Sequence, residues 1–112
     1  MERPRRVKGE TTAIKTGCGN LYLTQSLPEE EYQEVFTRLG KCGGCALSFL
    51  DGIGRLITFL LNAGVEKEVI VHAFLGLRCP NPTWDGNKQV LSCLDGIAQI
   101  LKGETNVDSE LG

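Results

Sequence analysis

Apolar and polar positions alternate around Leu21, Tyr22, Leu23 and Thr24, the period of a strand with one buried face. Residues 11–15 and 21–26 are therefore predicted as two short strands, and Gly17-Cys18-Gly19-Asn20 between them as the turn of an antiparallel hairpin. After the Leu27-Pro28-Glu29-Glu30 loop, alternation through Val35, Thr37 and Leu39 predicts a third strand over residues 32–39, ending at Gly40.

From Gly44 the period lengthens. Leu47, Phe49, Leu50, Ile53, Leu56, Ile57, Leu60 and Leu61 cover a broad apolar face until Asn62-Ala63-Gly64 stops it, which predicts a long core helix. Gly52 and Gly54 each weaken such a helix by about 1 kcal/mol relative to alanine, so their presence predicts the close approach of another backbone. A second helix is expected over residues 66–75 and a third over 88–102, separated by Cys79-Pro80-Asn81-Pro82 and Trp84-Asp85-Gly86. Leu50-Asp51-Gly52-Ile53 recurs as Leu94-Asp95-Gly96-Ile97, too short a match to make a repeat. The pattern is α+β: a small antiparallel three-stranded sheet followed by three helices packed on one face.

At 112 residues, 41% hydrophobic and 23% charged, the composition is that of one globular domain. The organisation expected is a basic flexible arm over residues 1–10, a folded domain over 11–103 and a flexible acidic tail over 104–112. A net charge of −2 argues against strong nucleic-acid binding, and the cations of the arm, Arg3, Arg5, Arg6 and Lys8, lack interleaved aromatics. Neither a secretory leader nor a run of roughly 20 apolar residues is evident, so a cytoplasmic protein without a membrane partner is expected. In that compartment cysteines bind metal, exchange electrons or pack more often than they form lasting disulfides.

The five cysteines carry the candidate chemistry. Cys18, Cys42, Cys45, Cys79 and Cys93 each sit beside glycine, proline or a predicted helix start, settings that suit reactive thiols and metal ligands. Cys18, Cys45, Cys79 and Cys93 together offer the four thiolates that a tetrahedral zinc site uses, although only Cys42-Gly43-Gly44-Cys45 has the close pairing of a zinc ribbon. The same Cys42/Cys45 pair at a helix start is the alternative for thiol exchange, because the positive end of the helix dipole stabilises a thiolate. A glycine-rich structural turn is the third alternative. Gly40-Lys41-Cys42-Gly43-Gly44 also has the look of an anion cradle, without the full phosphate-loop pattern, so a nucleotide or nucleic-acid contact is the weakest of the functional alternatives. His72, alone in an apolar helix, is expected to pack and not to ligate. Asp51, Arg55 and Asp95 form no recognisable acid/base or nucleophile constellation, so no catalytic residue is assigned.

Lys15-Thr16-Gly17-Cys18-Gly19-Asn20-Leu21-Tyr22, Gly40-Lys41-Cys42-Gly43-Gly44-Cys45, Gly54-Arg55-Leu56-Ile57 and Gly76-Leu77-Arg78-Cys79-Pro80 follow one another in an order that resembles the TSCPD domain. That domain lies at the C-terminus of many adenosylcobalamin-dependent ribonucleotide reductases, and the likeness spans about residues 10 to 102. It implies that Cys18, Cys45, Cys79 and Cys93 are a zinc-type ligand set and that Cys42 is additional to it. The name-giving segment reads Leu91-Ser92-Cys93-Leu94-Asp95, which keeps serine, cysteine and aspartate but not threonine and proline. The resemblance implies an accessory to a ribonucleotide reductase or another protein in deoxyribonucleotide synthesis. A chain of 112 residues has no room for the reductase barrel, so no adenosylcobalamin site and no independent reductase activity are expected.

Overall fold

In the computed structural model, which describes residues 2–40 and 44–103, strands β1 (Gly9–Thr16), β2 (Gly19–Ser26) and β3 (Val35–Leu39) form an antiparallel sheet in the order β1-β2-β3. Helices α1 (Gly44–Asn62) and α2 (Lys67–Phe74) follow, then a two-stranded ribbon of β4 (Thr83–Asp85) and β5 (Lys88–Val90), and finally α3 (Cys93–Lys102). The expected α+β order is thus present, with α1 packed against β3, α3 against β1 and β2, and α2 on α3. The expected tail over 104–112 lies outside the described residues.

The strand period explains the register. Ile14 lies opposite Leu21, which lies opposite Leu39, and Leu23 lies opposite Thr37, so directly paired residues send one continuous row of side chains inward. Leu21 and Leu23 are fully buried in one core with Ile57, Val90 and Ile97, which come from α1, β5 and α3. The other face of the sheet presents Tyr22, Phe36 and Arg38 to solvent.

Several boundaries differ from expectation. The third strand begins at Val35, not residue 32, because Gln33 is engaged elsewhere: its N–H donates to Asn62 Oδ1 at 3.0 Å and its carbonyl accepts from Asn62 Nδ2 at 2.8 Å. The third helix begins at Cys93, not residue 88, because Asp85-Gly86-Asn87-Lys88 turns the chain back on itself, with Gly86 at φ 63°. At the other end β1 starts at Gly9. The Lys8 carbonyl accepts from Leu27 N–H, and Arg3 pairs with Glu34 at 3.0 Å, so this part of the basic arm lies against the sheet.

The two helical glycines separate. A Cβ on Gly54 would stand 3.1 Å from the Val35 carbonyl oxygen and 3.3 Å from Phe36 Cα, the close backbone approach expected of it. Gly52 faces open space, and nothing in the fold asks for glycine there.

Candidate metal centre

Three of the five cysteines converge, each from a different part of the chain. Cys18 sits in the turn between β1 and β2, Cys79 in the loop after α2, and Cys93 at the first position of α3. The turn is shaped by Thr16, whose buried Oγ1 donates to the Gly19 carbonyl at 2.7 Å and accepts from Cys18 N–H at 3.2 Å. Gly19, at φ 124°, supplies the backbone conformation that closes it. The same hydroxyl receives the Cys93 thiol at 3.8 Å, so one side chain ties the hairpin turn to the start of α3.

Gly17 lets the second loop in. A Cβ there would overlap the backbone of Asn81, and the Asn81 N–H donates to Cys79 Sγ at 3.4 Å. Cys79 N–H in turn donates to the Leu91 carbonyl at 3.0 Å, which fixes the loop beside the start of α3.

That helix start is built by Ser92 and Asp95. Ser92 is the N-cap: its Oγ accepts from Asp95 N–H at 3.0 Å and donates to the Leu77 carbonyl at 2.6 Å. The buried Asp95 carboxylate accepts from Gly76 N–H at 2.8 Å, Leu91 N–H at 2.9 Å and Gln99 Nε2 at 3.0 Å. Serine and aspartate of the Leu91–Asp95 segment therefore do structural work, holding the loop that presents Cys79 against the helix that presents Cys93. Position alone does not reveal this, since Asp95 reads in the sequence as an ordinary helical acid.

The thiols feel one another. Burial pushes the Cys93 thiol above its ordinary pKa, and the neighbouring Cys18 and Cys79 raise it further, with the Thr16 contact pulling the other way. All four described cysteines, Cys18, Cys45, Cys79 and Cys93, are free thiols. Among the described residues, no group of three or more Cys, His, Asp or Glu is arranged as it stands to hold a metal ion.

The remaining candidates lie elsewhere. Cys45 is a free thiol exposed in the first turn of α1. Cys42 and the centre of the Gly40–Gly44 loop lie outside the described residues. His72 is exposed on α2, where packing was expected of it. Asp51 and Arg55 face solvent, and only Asp95 of the three charged candidates is buried.

The model of the TSCPD domain family matches residues 1–104. No curated protein and no solved structure matches the chain.

Proposed function

The chain belongs to the TSCPD domain family, which makes it a ribonucleotide reductase-related domain, and from that premise we propose that it is a zinc-binding accessory module. Cys18, Cys79 and Cys93 would supply three thiolates and Cys45 the fourth, brought in by the start of α1. Zinc favours such a soft, tetrahedral donor set. The observation that supports this most is the meeting of Cys18, Cys79 and Cys93 from a hairpin turn, a loop and a helix start. A cation among them would relieve the mutual repulsion of their ionised forms and cross-link three parts of a small fold. The partner proposed is a ribonucleotide reductase or another protein of deoxyribonucleotide synthesis, with the domain acting in the cytoplasm.

Elemental analysis of untagged, anaerobically purified protein, with free thiols counted before and after denaturation, tests the proposal. It expects about one zinc per chain and four thiols protected until denaturation. Metal-free protein with every thiol reactive would refute it.

The exposure of Cys45 as a free thiol at the start of α1 favours a second reading in which Cys42 and Cys45 act as a dithiol pair. Under it, Cys42→Ser or Cys45→Ser abolishes disulfide reductase activity while zinc binding persists. Under the four-thiolate reading, Cys45→Ser loses zinc and Cys42→Ser is silent.

A further inference from the structure

Helix α1 has two apolar faces, and the fold uses one. Leu50, Gly54, Ile57 and Thr58 turn into the domain, while Phe49, Leu56, Phe59 and Leu60 turn outward. Phe49, Gly52, Leu56, Phe59 and Ala63 follow one another at alternating steps of three and four, the spacing of a helix-packing seam. All five are exposed, and Gly52 leaves open space within the row. By length and composition this helix passes for a membrane span, yet only 22% of that stretch is buried within the fold.

We propose that the outward face of α1 is a homodimer interface, in which two copies of this chain pack their α1 helices antiparallel about a two-fold axis near Ile53.

The charges select both the partner and the direction. Within α1 the acids and bases are Asp51 and Arg55, equally spaced about Ile53, which is also the midpoint of Gly44–Asn62. Both are exposed, and neither has an ion-pair partner among the described residues. An antiparallel two-fold at Ile53 sets Asp51 of each copy toward Arg55 of the other at the rim. A parallel pairing sets like against like. The centre of the face carries no charge, which suits a second identical face better than a charged partner.

The area is sufficient. Phe49, Phe59 and Phe36 are 75%, 66% and 50% exposed, and since a phenylalanine buries about 150–250 Å² they leave roughly 300–480 Å² uncovered. Phe36 joins the helix face across a groove of about 530 Å³ lined by Asp51, Arg55, Thr58 and Phe59. With Leu56 and Leu60 added, two such faces bury on the order of 1,000 Å² together, the size from which a biological interface is expected. Gly52 allows the helix axes to come close at the centre.

Sedimentation equilibrium of the full chain, across micromolar concentrations, tests this. The expected species is a dimer, with Leu56→Ser and Phe59→Ser each weakening self-association about 100-fold while the far-UV spectrum stays unchanged. Both side chains are exposed in the single copy, so the substitutions leave its core intact. Arg55→Asp should weaken the dimer and the Asp51→Arg/Arg55→Asp double substitution should restore it. A wild-type chain that is monomeric throughout, or a dimer that both serine variants leave intact, overturns the proposal. So does a monomer that sediments with phosphatidylglycerol vesicles, which assigns the face to lipid. Failure of the charge exchange to restore a weakened dimer overturns the antiparallel geometry. Zinc content does not enter these readouts, so they stand apart from the metal-site proposal.

Discussion

Thr58 closes the open edge of the sheet through Val35. Its Oγ1 accepts the Val35 N–H at 2.9 Å and donates to the Val35 carbonyl at 3.0 Å, and all of these atoms are buried. One turn further along α1, Asn62 treats Gln33 in the same way, accepting its N–H and donating to its carbonyl. An exposed strand edge invites pairing with other chains. Here a helix laid alongside β3 satisfies the edge with two polar side chains at a spacing of four, and Gly54, one turn earlier, lets the backbones approach.

Replacing Thr58 by valine keeps the shape and removes both bonds. A buried polar group left unpaired costs about 1–3 kcal/mol, so Thr58→Val should lower the unfolding free energy by about 2–4 kcal/mol, read from urea denaturation. Amide exchange at Val35 should quicken more than at Leu23 in the centre of the sheet. A loss below 0.5 kcal/mol, on the order of an ordinary surface change, would show that the edge is satisfied by other means.

The two glycines of α1 should respond oppositely. Gly54→Ala pushes a Cβ to 3.1 Å from the Val35 carbonyl oxygen and 3.3 Å from Phe36 Cα, both backbone atoms that yield little. It should destabilise by about 1–3 kcal/mol through overpacking. Gly52→Ala meets nothing and should stabilise the monomeric fold by about 0.5–1 kcal/mol through helix propensity. Thermal unfolding of the two variants side by side distinguishes them, and equal shifts would contradict the packing.

How much of this was legible differs by element. The sheet and α1 were visible because Leu21, Leu23, Val35, Thr37 and Leu39 keep a strict strand period and α1 a long helical one. The ribbon of β4 and β5 was not, since each strand is three residues long and Lys88-Gln89-Val90 continues smoothly into a helical pattern. Gly54 signalled close packing correctly, whereas Gly52 meets no other backbone within one copy, because sequence does not tell which face of a doubly apolar helix its own fold covers. The convergence of Cys18, Cys79 and Cys93 depends on Gly17, Thr16 and Asp95, and no local spacing encodes the contacts of Gly17 with Asn81 and of Thr16 with Cys93, each across more than 60 residues. The bonds of Thr58 and Asn62 to the strand edge were hidden too, and Asn62 read only as part of the helix stop: polar residues in a helix look solvent-facing until the strand beside them is known.

Asp95 is the hinge pin of the C-terminal half. Its carboxylate receives three donors, from the turn after α2, from the residue before the cap of α3 and from Gln99. Asp95→Ala leaves those donors buried or strained and should cost about 3–5 kcal/mol. The loop carrying Cys79 should loosen with it, so alkylation of Cys79 by iodoacetamide should quicken in the folded protein. Unchanged alkylation with lowered stability would separate the loop from Asp95.

The Cys93 thiol sets a pH dependence for the metal-free protein. Burial, followed by the influence of Cys18 and Cys79, holds its folded pKa above the ordinary thiol value of about 8.5. Below that ordinary value both folded and unfolded chains keep the proton, and the contribution to stability is fully present. As pH rises through it, the unfolded chain releases the proton while the folded chain retains it. The folded state then binds more protons, and stability falls as pH climbs toward the raised folded pKa. The urea midpoint of protein stripped of metal with a chelator should therefore decline above about pH 8.5, and Cys93→Ser should flatten that decline. Under the zinc proposal, metal-loaded protein should not show it, since ligation would hold the thiols deprotonated. A midpoint that rises with pH over this range would mean that the folded site favours the Cys93 thiolate, the reverse of what its burial dictates.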